Sequence, residues 1–506
     1  MKRALLVLLV FGVVTAGLAA QSVGDRQVVV ASKKFTESVI LGELVTQVLR
    51  AEGAEVRHRR ELGGSRVLFS GLLRGDIDAY PEYTGTLMGE LLVDEKLRTL
   101  DELRDALESR GIRMSDPIGF NNTYAVGVTR ETAEELDLET VSDLVDHPEI
   151  RMGFSNEFME RADGWPGLRD AYGLQNPARG MDHDLAYRGL QSGDIGAMDL
   201  YATDAEIEYY DLVILEDDLG YFPRYDAVVL WRADLEDRLP SAGGAIGLLE
   251  GAIDESAMAA MNRLAKIGPT NADGEDGPRV PASLVAQEFL EGEFDLQTEA
   301  FVETRRAVLV RTTIDHLELV AWSMAGAILL SIPLGIVAAK QKKLAQPILW
   351  CVGILQTMPS LALLVLLIPA FGLSPLTAIV ALFLYSLLPI VRNTYSGLTG
   401  IPGDITESAI AIGLTPMQRM KDVELPLALP TILAGIKTAV VINVGTATLA
   451  ALIGVGGYGQ PILTGIRLDD FGLILLGAGP AAIMAIGAQL LFDGFERLAV
   501  SRGLRL

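Results

Sequence analysis

Five apolar runs crowd the last third of the chain: 317–339, 348–371, 376–391, 431–453 and 472–492. Each is close to the ~20 residues that a helix needs to cross ~30 Å of hydrocarbon, and only the third is short. Buried core helices are seldom this long and this apolar, so the runs point to lipid. Charge divides the chain at the same place. Residues 1–300 carry 28 Lys+Arg against 55 Asp+Glu, and residues 301–506 carry 14 against 11. An acidic first part and a nearly uncharged second part imply two solvents. The acidic part argues against nucleic acid, because phosphates would be repelled. No metal or cofactor is expected: the four histidines form no i,i+3 or i,i+4 pair, and Cys351 is the single cysteine.

Residues 1–20 read as a signal peptide. Lys2 and Arg3 give a basic start, Ala4 to Val14 an apolar middle, and Gly17 to Ala20 a small-residue cleavage region. An uncleaved anchor helix is the alternative, and either way Gln21 onward is sent outward. Residues 26–300 alternate short apolar strands with helical patterns. Val28 to Val30 reads as a strand, 37–50 as a helix, Val56 to Arg60 as a strand and 65–73 as a helix. A second set follows from about 125 to 230, with strands near 150–154 and 213–215. That alternation predicts two α/β lobes with a cleft between them. Lobe one takes about 26–125 and 228–300, and lobe two about 126–227. A short amphipathic linker, 301–316, then leads to a membrane domain over 317–506.

Export of the first part places 21–316 outside, and five spans then leave the C-terminus inside. The basic residues agree with that orientation. Lys340, Lys342 and Lys343 follow the first span, Arg392, Arg419 and Lys421 the third, and Arg497, Arg502 and Arg505 lie in the tail. The outer loops hold only Arg467, beside Asp469 and Asp470.

The segment Glu407–Pro430 would then face the cytoplasm. Asp404 could cap a helix starting near Ile405. Ala409, Ala411 and Gly413 are small enough for another surface to approach, and Pro426 and Pro430 restrict the chain before the fourth span. Glu407-Ser408-Ala409, Gly413, Leu425-Pro426 and Pro430 resemble the loop by which the permease subunits of binding-protein-dependent ABC importers insert into their ATPase. Ser408 replaces that loop's middle alanine. The resemblance implies a coupling role for Glu407, Ala409, Gly413, Leu425, Pro426 and Pro430. It also implies a homodimer through the permease domain and two copies of a separate ATPase subunit. Within the chain no Gly-x4-Gly-Lys-Ser/Thr loop occurs, and Gly435-Ile436-Lys437-Thr438 lacks the glycine spacing. The chain is therefore not expected to be an enzyme. Leu355–Leu364, Leu388–Tyr395 and Val444–Gly454 are similar to the permeases of osmoprotectant importers. In the last of these, Gly445, Thr446 and Thr448 suit tight helix packing or a polar path.

Aromatic motifs mark the first part: Tyr80–Thr86, Asn121–Tyr124, Leu200–Asp204 and Gly220–Tyr225. A quaternary ammonium has no N–H to donate and is held by the negative faces of aromatic rings, at roughly 0.5–2 kcal/mol per contact. A given tyrosine, taken alone, is more often a packing residue. Ser32–Glu37, Ile77–Thr86 and Phe222–Ala227 resemble the binding proteins of the same osmoprotectant importers. The resemblance implies an aromatic box of Tyr83, Tyr124, Tyr201 and Tyr225, with Lys33, Thr86 and Arg161 at the carboxylate end of a betaine. Ser38 stands where some members carry glutamine. Lys33 and Arg161 favour glycine betaine over choline, with carnitine and ergothioneine as further alternatives.

The expected fold is an α/β two-lobed periplasmic-binding-protein (type II) domain followed by an all-α transmembrane ABC importer permease domain of five spans. Two rivals remain, a membrane-tethered sensor and a membrane hydrolase. A sensor has no need of the 407–430 loop, and no Ser/His/Asp constellation stands out for a hydrolase.

Overall fold

The computed structural model describes residues 27–161, 163–270, 275–468 and 470–499. The expected signal peptide at 1–20 lies outside these residues, as do Arg502 and Arg505. The chain forms two compact units that divide between Val302 and Glu303.

The first unit carries ten strands: β1 (Val28–Ala31), β2 (Val56–Arg59), β3 (Ala79–Tyr83), β4 (Ile112–Met114), β5 (Tyr124–Thr129), β6 (Met152–Ser155), β7 (Ala178–Met181), β8 (Met198–Tyr201), β9 (Leu212–Leu215) and β10 (Ala227–Arg232). Helix α1 (Thr36–Ala51) connects β1 to β2, and the two strands pair in parallel. Parallel neighbours need such a crossover. Ile40, Leu41, Leu44, Val45 and Val48 recur on α1 at helical spacing and are all buried. The first sheet has the order β2-β1-β3-β10-β4, with β10 antiparallel to both neighbours. A second sheet, β8-β5-β9, is antiparallel, and β6 and β7 form a parallel pair. The chain leaves the first sheet after β4 and returns to it at β10. Between them Asn121 and Asp226 form an antiparallel bridge. Helix α2 (Glu255–Lys266) packs back onto α1.

The second unit is helical. Its main helices are α3 (Arg305–Lys340), α4 (Lys342–Thr357), α5 (Ser360–Phe371), α6 (Pro375–Thr399), α7 (Gly403–Ala411), α8 (Leu425–Thr446) and α9 (Phe471–Ala499). Among the described residues, four helical stretches are long and apolar enough to cross a membrane, or five if the bent pair α4/α5 is one span.

The structure differs from the sequence reading at several element boundaries. The linker expected at 301–316 is helical from Arg305 and continues into the first span without a break. Thr304 caps it through Ala307 N, and Thr312 and His316 are buried one turn apart. The second span, read as continuous over 348–371, is two helices meeting at 99°. Met358 is extended (ψ 133°) because it precedes Pro359, whose ring excludes a helical neighbour. The third span runs eight residues past Val391, to Thr399, so Arg392 lies within a helix. Asp404 is not a cap: Pro402 occupies that position and Asp404 sits in the first turn of α7.

Helix α6 lies between α3 and α8, held by glycines. A Cβ on Gly335 of α3 would stand 2.7 Å from Thr394 Cγ2, and one on Gly435 of α8 would stand 2.8 Å from the Pro389 carbonyl. Gly397 of α6 itself would meet Ala428 at 3.2 Å. These are the small residues that let helices approach in lipid. Gly445 is not among them, since nothing lies within 4 Å of its Cβ position. Thr446 and Thr448 bond carbonyls of their own segment, Ile442 O and Gly445 O, each at 2.8 Å. Asn443 supplies a buried polar tie across three helices, reaching Ser323 Oγ at 3.0 Å and Ser386 Oγ at 2.8 Å.

Candidate functional site: an aromatic cage and an exposed helical segment

All seven residues expected at the ligand line one cavity of the first unit: Tyr83, Tyr124, Tyr201, Tyr225, Lys33, Thr86 and Arg161. Strand register explains the convergence. Tyr124 and Tyr201 are direct antiparallel partners across β5 and β8. Tyr83 ends β3 opposite Ala227, and Tyr225 arrives two residues before that pairing. The ring centroids of Tyr124 lie 5.0 Å from Tyr201 and 5.4 Å from Tyr225, the latter edge-on. Phe35 closes the gap the motifs left open. Its ring stacks 5.8 Å from Tyr201 and 6.2 Å from Tyr83. Its place inside the Ser32–Glu37 motif was the signal available for it. Ser65, Asn122 and Glu157 also line the cavity and were not read from the sequence.

Burial pushes the phenols of all four tyrosines above their ordinary pKa of 10, so the rings stay neutral with intact hydroxyls. Two of the hydroxyls are held by carboxylates that do not line the cavity. Tyr83 OH donates to Glu37 at 2.5 Å and Tyr225 OH to Asp163 at 2.8 Å, while the hydroxyls of Tyr124 and Tyr201 lie 3.4 Å apart.

The two cations of the site are not free. Lys33 Nζ pairs with Glu82 and stands 4.4 Å from the Tyr83 centroid. Arg161 binds Asp163 through Nε at 2.8 Å and Nη2 at 2.5 Å, and Glu90 through Nη1 at 2.9 Å. Its guanidinium faces Tyr124 at 5.6 Å and Tyr225 at 5.8 Å. Burial pushes the Asp163 carboxyl up, but Arg161 more than offsets this and holds it below its usual value. Thr86 Oγ1 lies 3.5 Å from Arg161 Nη1. Ser38 Oγ accepts the Lys33 amide at 2.8 Å, which fixes it to the backbone rather than to the cavity.

Gly85 bounds the cage from below. A Cβ there would stand 2.5 Å from Tyr225 Cδ1 and 2.8 Å from the Arg224 carbonyl. Gly85→Ala is expected to push the Tyr225 ring aside and weaken ligand about tenfold, one cation–π contact's worth, with the fold retained. Calorimetric titration together with a thermal melt checks it.

A Ser/His/Glu row does exist, outside the cavity. His58 Nε2 lies 2.9 Å from Ser32 Oγ, and His58 Nδ1 lies 2.7 Å from Glu43 Oε1. Ser32 is fully buried, and Glu43 also binds Arg60 at 2.8 Å. No substrate can reach that hydroxyl. The row ties β2 to α1 and is structural.

The Glu407–Pro430 segment is not one loop. It folds as α7, a turn at Gly413 (φ +85°), the short helix Pro416–Arg419 and then α8. Thr415 caps the short helix in a capping box with Gln418. Glu407, Gly413 and Pro426 are exposed, whereas Ala409 and Pro430 are buried and Leu425 is half-buried. Pro426 and Pro430 lie inside α8 rather than before it. An apolar edge the sequence reading missed stands out into solvent: Ile412 and Met417 are each 76% exposed and Ile410 is 54% exposed. Glu424 anchors the segment to the end of α3 through Lys340 at 2.5 Å and binds Arg419 at 3.0 Å.

A solute-binding unit with a convergent cage and an apolar helical unit on one polypeptide define a binding-protein-dependent importer. Residues 26–274 match the substrate-binding domain of ABC-type glycine betaine transport systems. Residues 331–502 match the inner membrane component of binding-protein-dependent transport systems. The choline transport system permease protein of Bacillus subtilis is 41% identical over 205 residues, 40% of this chain and 94% of that one. The osmoprotectant import permease protein OsmW of Salmonella typhimurium is 42% identical over 202 residues, 39% of this chain and 94% of that one. The ergothioneine transport permease/ergothioneine binding protein of Helicobacter pylori is 30% identical over 276 residues, 53% of this chain and 48% of that one. The chain thus belongs to the osmoprotectant ABC importers, with the substrate-binding domain and the permease domain fused. It is a multi-pass membrane transport protein rather than an enzyme.

Proposed function

We propose that the cage holds the trimethylammonium group of a small osmoprotectant, and that the helical unit forms the path by which it enters the cell. One observation carries this reading: four phenols and Phe35, from five separated segments, present their rings to one cavity. Ligand draws the two lobes together. The closed domain delivers its load to a pair of permease units, with residues 21–316 outside and the C-terminus inside. Two separate ATPase subunits bind the exposed edge around Ile412 and Met417 and drive the change of access.

The ion pairs bear on which solute is taken. Lys33 and Arg161 are already matched by Glu82, Glu90 and Asp163, with Glu157 in addition at the cavity. A betaine carboxylate would compete with those partners for the two cations. Lys33 and Arg161 therefore do not by themselves favour glycine betaine over choline. A net cation meets no such competition.

The experiment is a titration of the full chain in detergent with choline, glycine betaine, proline betaine, carnitine and ergothioneine. Choline is expected to bind at least as tightly as glycine betaine. Tyr83→Ala or Tyr201→Ala is expected to weaken it about 10- to 30-fold, a lost cation–π contact plus lost ring burial. Normal binding by both alanine variants would sink the cage.

A further inference from the structure

Behind the cage, out of reach of any ligand, lies a carboxylate that none of the above uses. Glu37 sits in the first turn of α1 and is 3% exposed. Its Oε1 accepts Tyr83 OH at 2.5 Å and Asn122 Nδ2 at 2.8 Å. Its Oε2 accepts Asn262 Nδ2 at 2.9 Å and the Thr203 hydroxyl. Asn262 is itself held by donating to Thr203 O at 3.0 Å. Tyr83 is a cage wall. Asn122 stands two residues before Tyr124, and Thr203 two residues after Tyr201. One carboxyl group therefore reaches three of the four cage segments, and it does so from both sheets.

The donor set favours the carboxylate. Asn122 Nδ2 and Asn262 Nδ2 can only donate, one to each carboxyl oxygen, and the Tyr83 and Thr203 hydroxyls donate to the lone pairs that remain. Burial, with Asp204 adding to it, leaves the Glu37 pKa above its ordinary value, although the hydrogen bonds from Thr203, Tyr83 and Asn262 oppose the rise. Among the described residues no basic side chain forms an ion pair with Glu37. A buried anion without a partner is costly, and a cation placed nearby relieves that cost.

We propose that Glu37 is the positioning and counter-charge residue of the cage, a specificity determinant that makes it select cations over neutral molecules of the same shape. The inference rests on the quaternary-ammonium reading above and deepens it. The carboxylate fixes the segments of Tyr83, Tyr124 and Tyr201 relative to one another. By accepting from Tyr83 OH it also polarises that phenol and makes its ring more negative, the ring that Lys33 Nζ approaches to 4.4 Å.

The test uses the full chain and two probes, choline and its uncharged carbon isostere 3,3-dimethylbutan-1-ol. In Glu37→Gln, choline affinity is expected to fall about tenfold or more while the isostere changes less than about threefold. Glu37→Asp keeps the charge, so the choline-to-isostere ratio stays within about twofold of the parent. Thr203→Val removes one donor and leaves the anion, so both probes weaken together. Equal losses for both probes in Glu37→Gln would make the residue mere scaffold and overturn the proposal. Should Glu37→Gln fail to fold, the other two variants decide: a preserved ratio supports the proposal, and a collapsed one overturns it. A parent chain that binds choline no better than the isostere overturns this inference alone. A parent that binds no quaternary ammonium removes the cage reading, and this one with it.

Discussion

A Gly435→Leu chain fails to form its membrane unit. The glycine is the point of closest approach between α8 and α6: a Cβ there would stand 2.6 Å from Asn393 Cβ and 2.8 Å from the Pro389 carbonyl. The carbonyl cannot retreat, because it already accepts Asn393 Nδ2 at 2.8 Å inside α6. Leucine adds three further carbons beyond that Cβ. Overpacking of this kind costs typically 1–3 kcal/mol and occasionally more, and backbone on one side of the contact puts this case at the upper end. Parting the helices would also break the Asn443 tie to Ser323 and Ser386. Lipid offers those polar groups no substitute. The expected result is loss of the folded peak in detergent gel filtration, with degradation of the chain in the membrane. Gly445→Leu is the control: its Cβ position is open, so the variant folds.

An Ile412→Asp/Met417→Asp chain binds solute normally and imports none. Both side chains are 76% exposed on the segment between α6 and α8, and two carboxylates there would be unpaired in any apolar groove that receives them. An interface centre of this type carries 2 kcal/mol or more per residue, so the pair is expected to lower uptake at least about 100-fold. Gly413→Val gives a smaller loss by another route. Its φ of +85° strains an L-residue by roughly 1–2 kcal/mol, although nothing lies within 4 Å of the new Cβ. Uptake into cells and binding in detergent, measured on the same variants, separate the two steps. Retained uptake in the double variant would favour the sensor reading.

The box residues were legible through the resemblance of their motifs, since a tyrosine taken alone reads as packing. Tyr83, Tyr124 and Tyr201 each occupy the first or last position of a strand, and that placement was not readable from the motifs alone. What could not be read was who neutralises whom. The pairing of Lys33 with Glu82 spans 49 residues, and that of Arg161 with Glu90 spans 71. Glu37 was in view as part of a motif, but its four donors come from four distant places. In the membrane unit, hydropathy located the spans and missed their ends. Residues 305–316 are too polar for an apolar window, yet they continue α3 because Thr312 and His316 fall on its buried side. The break at Met358–Pro359 escaped for another reason: the run stays apolar enough to read as one span in spite of Gln356, Thr357 and Ser360, and proline acts on the backbone rather than on hydropathy.

Pairing across β5 and β8 sets Tyr124 against Tyr201, and pairing across β3 and β10 brings Tyr225 to Tyr83. Each couple is prefabricated by its own sheet, and little rotamer freedom is left to freeze when a guest arrives. A guest too short to span both couples collects only one half of the attraction, so discrimination by size follows from the way the enclosure is built, without any wall to exclude the wrong molecule.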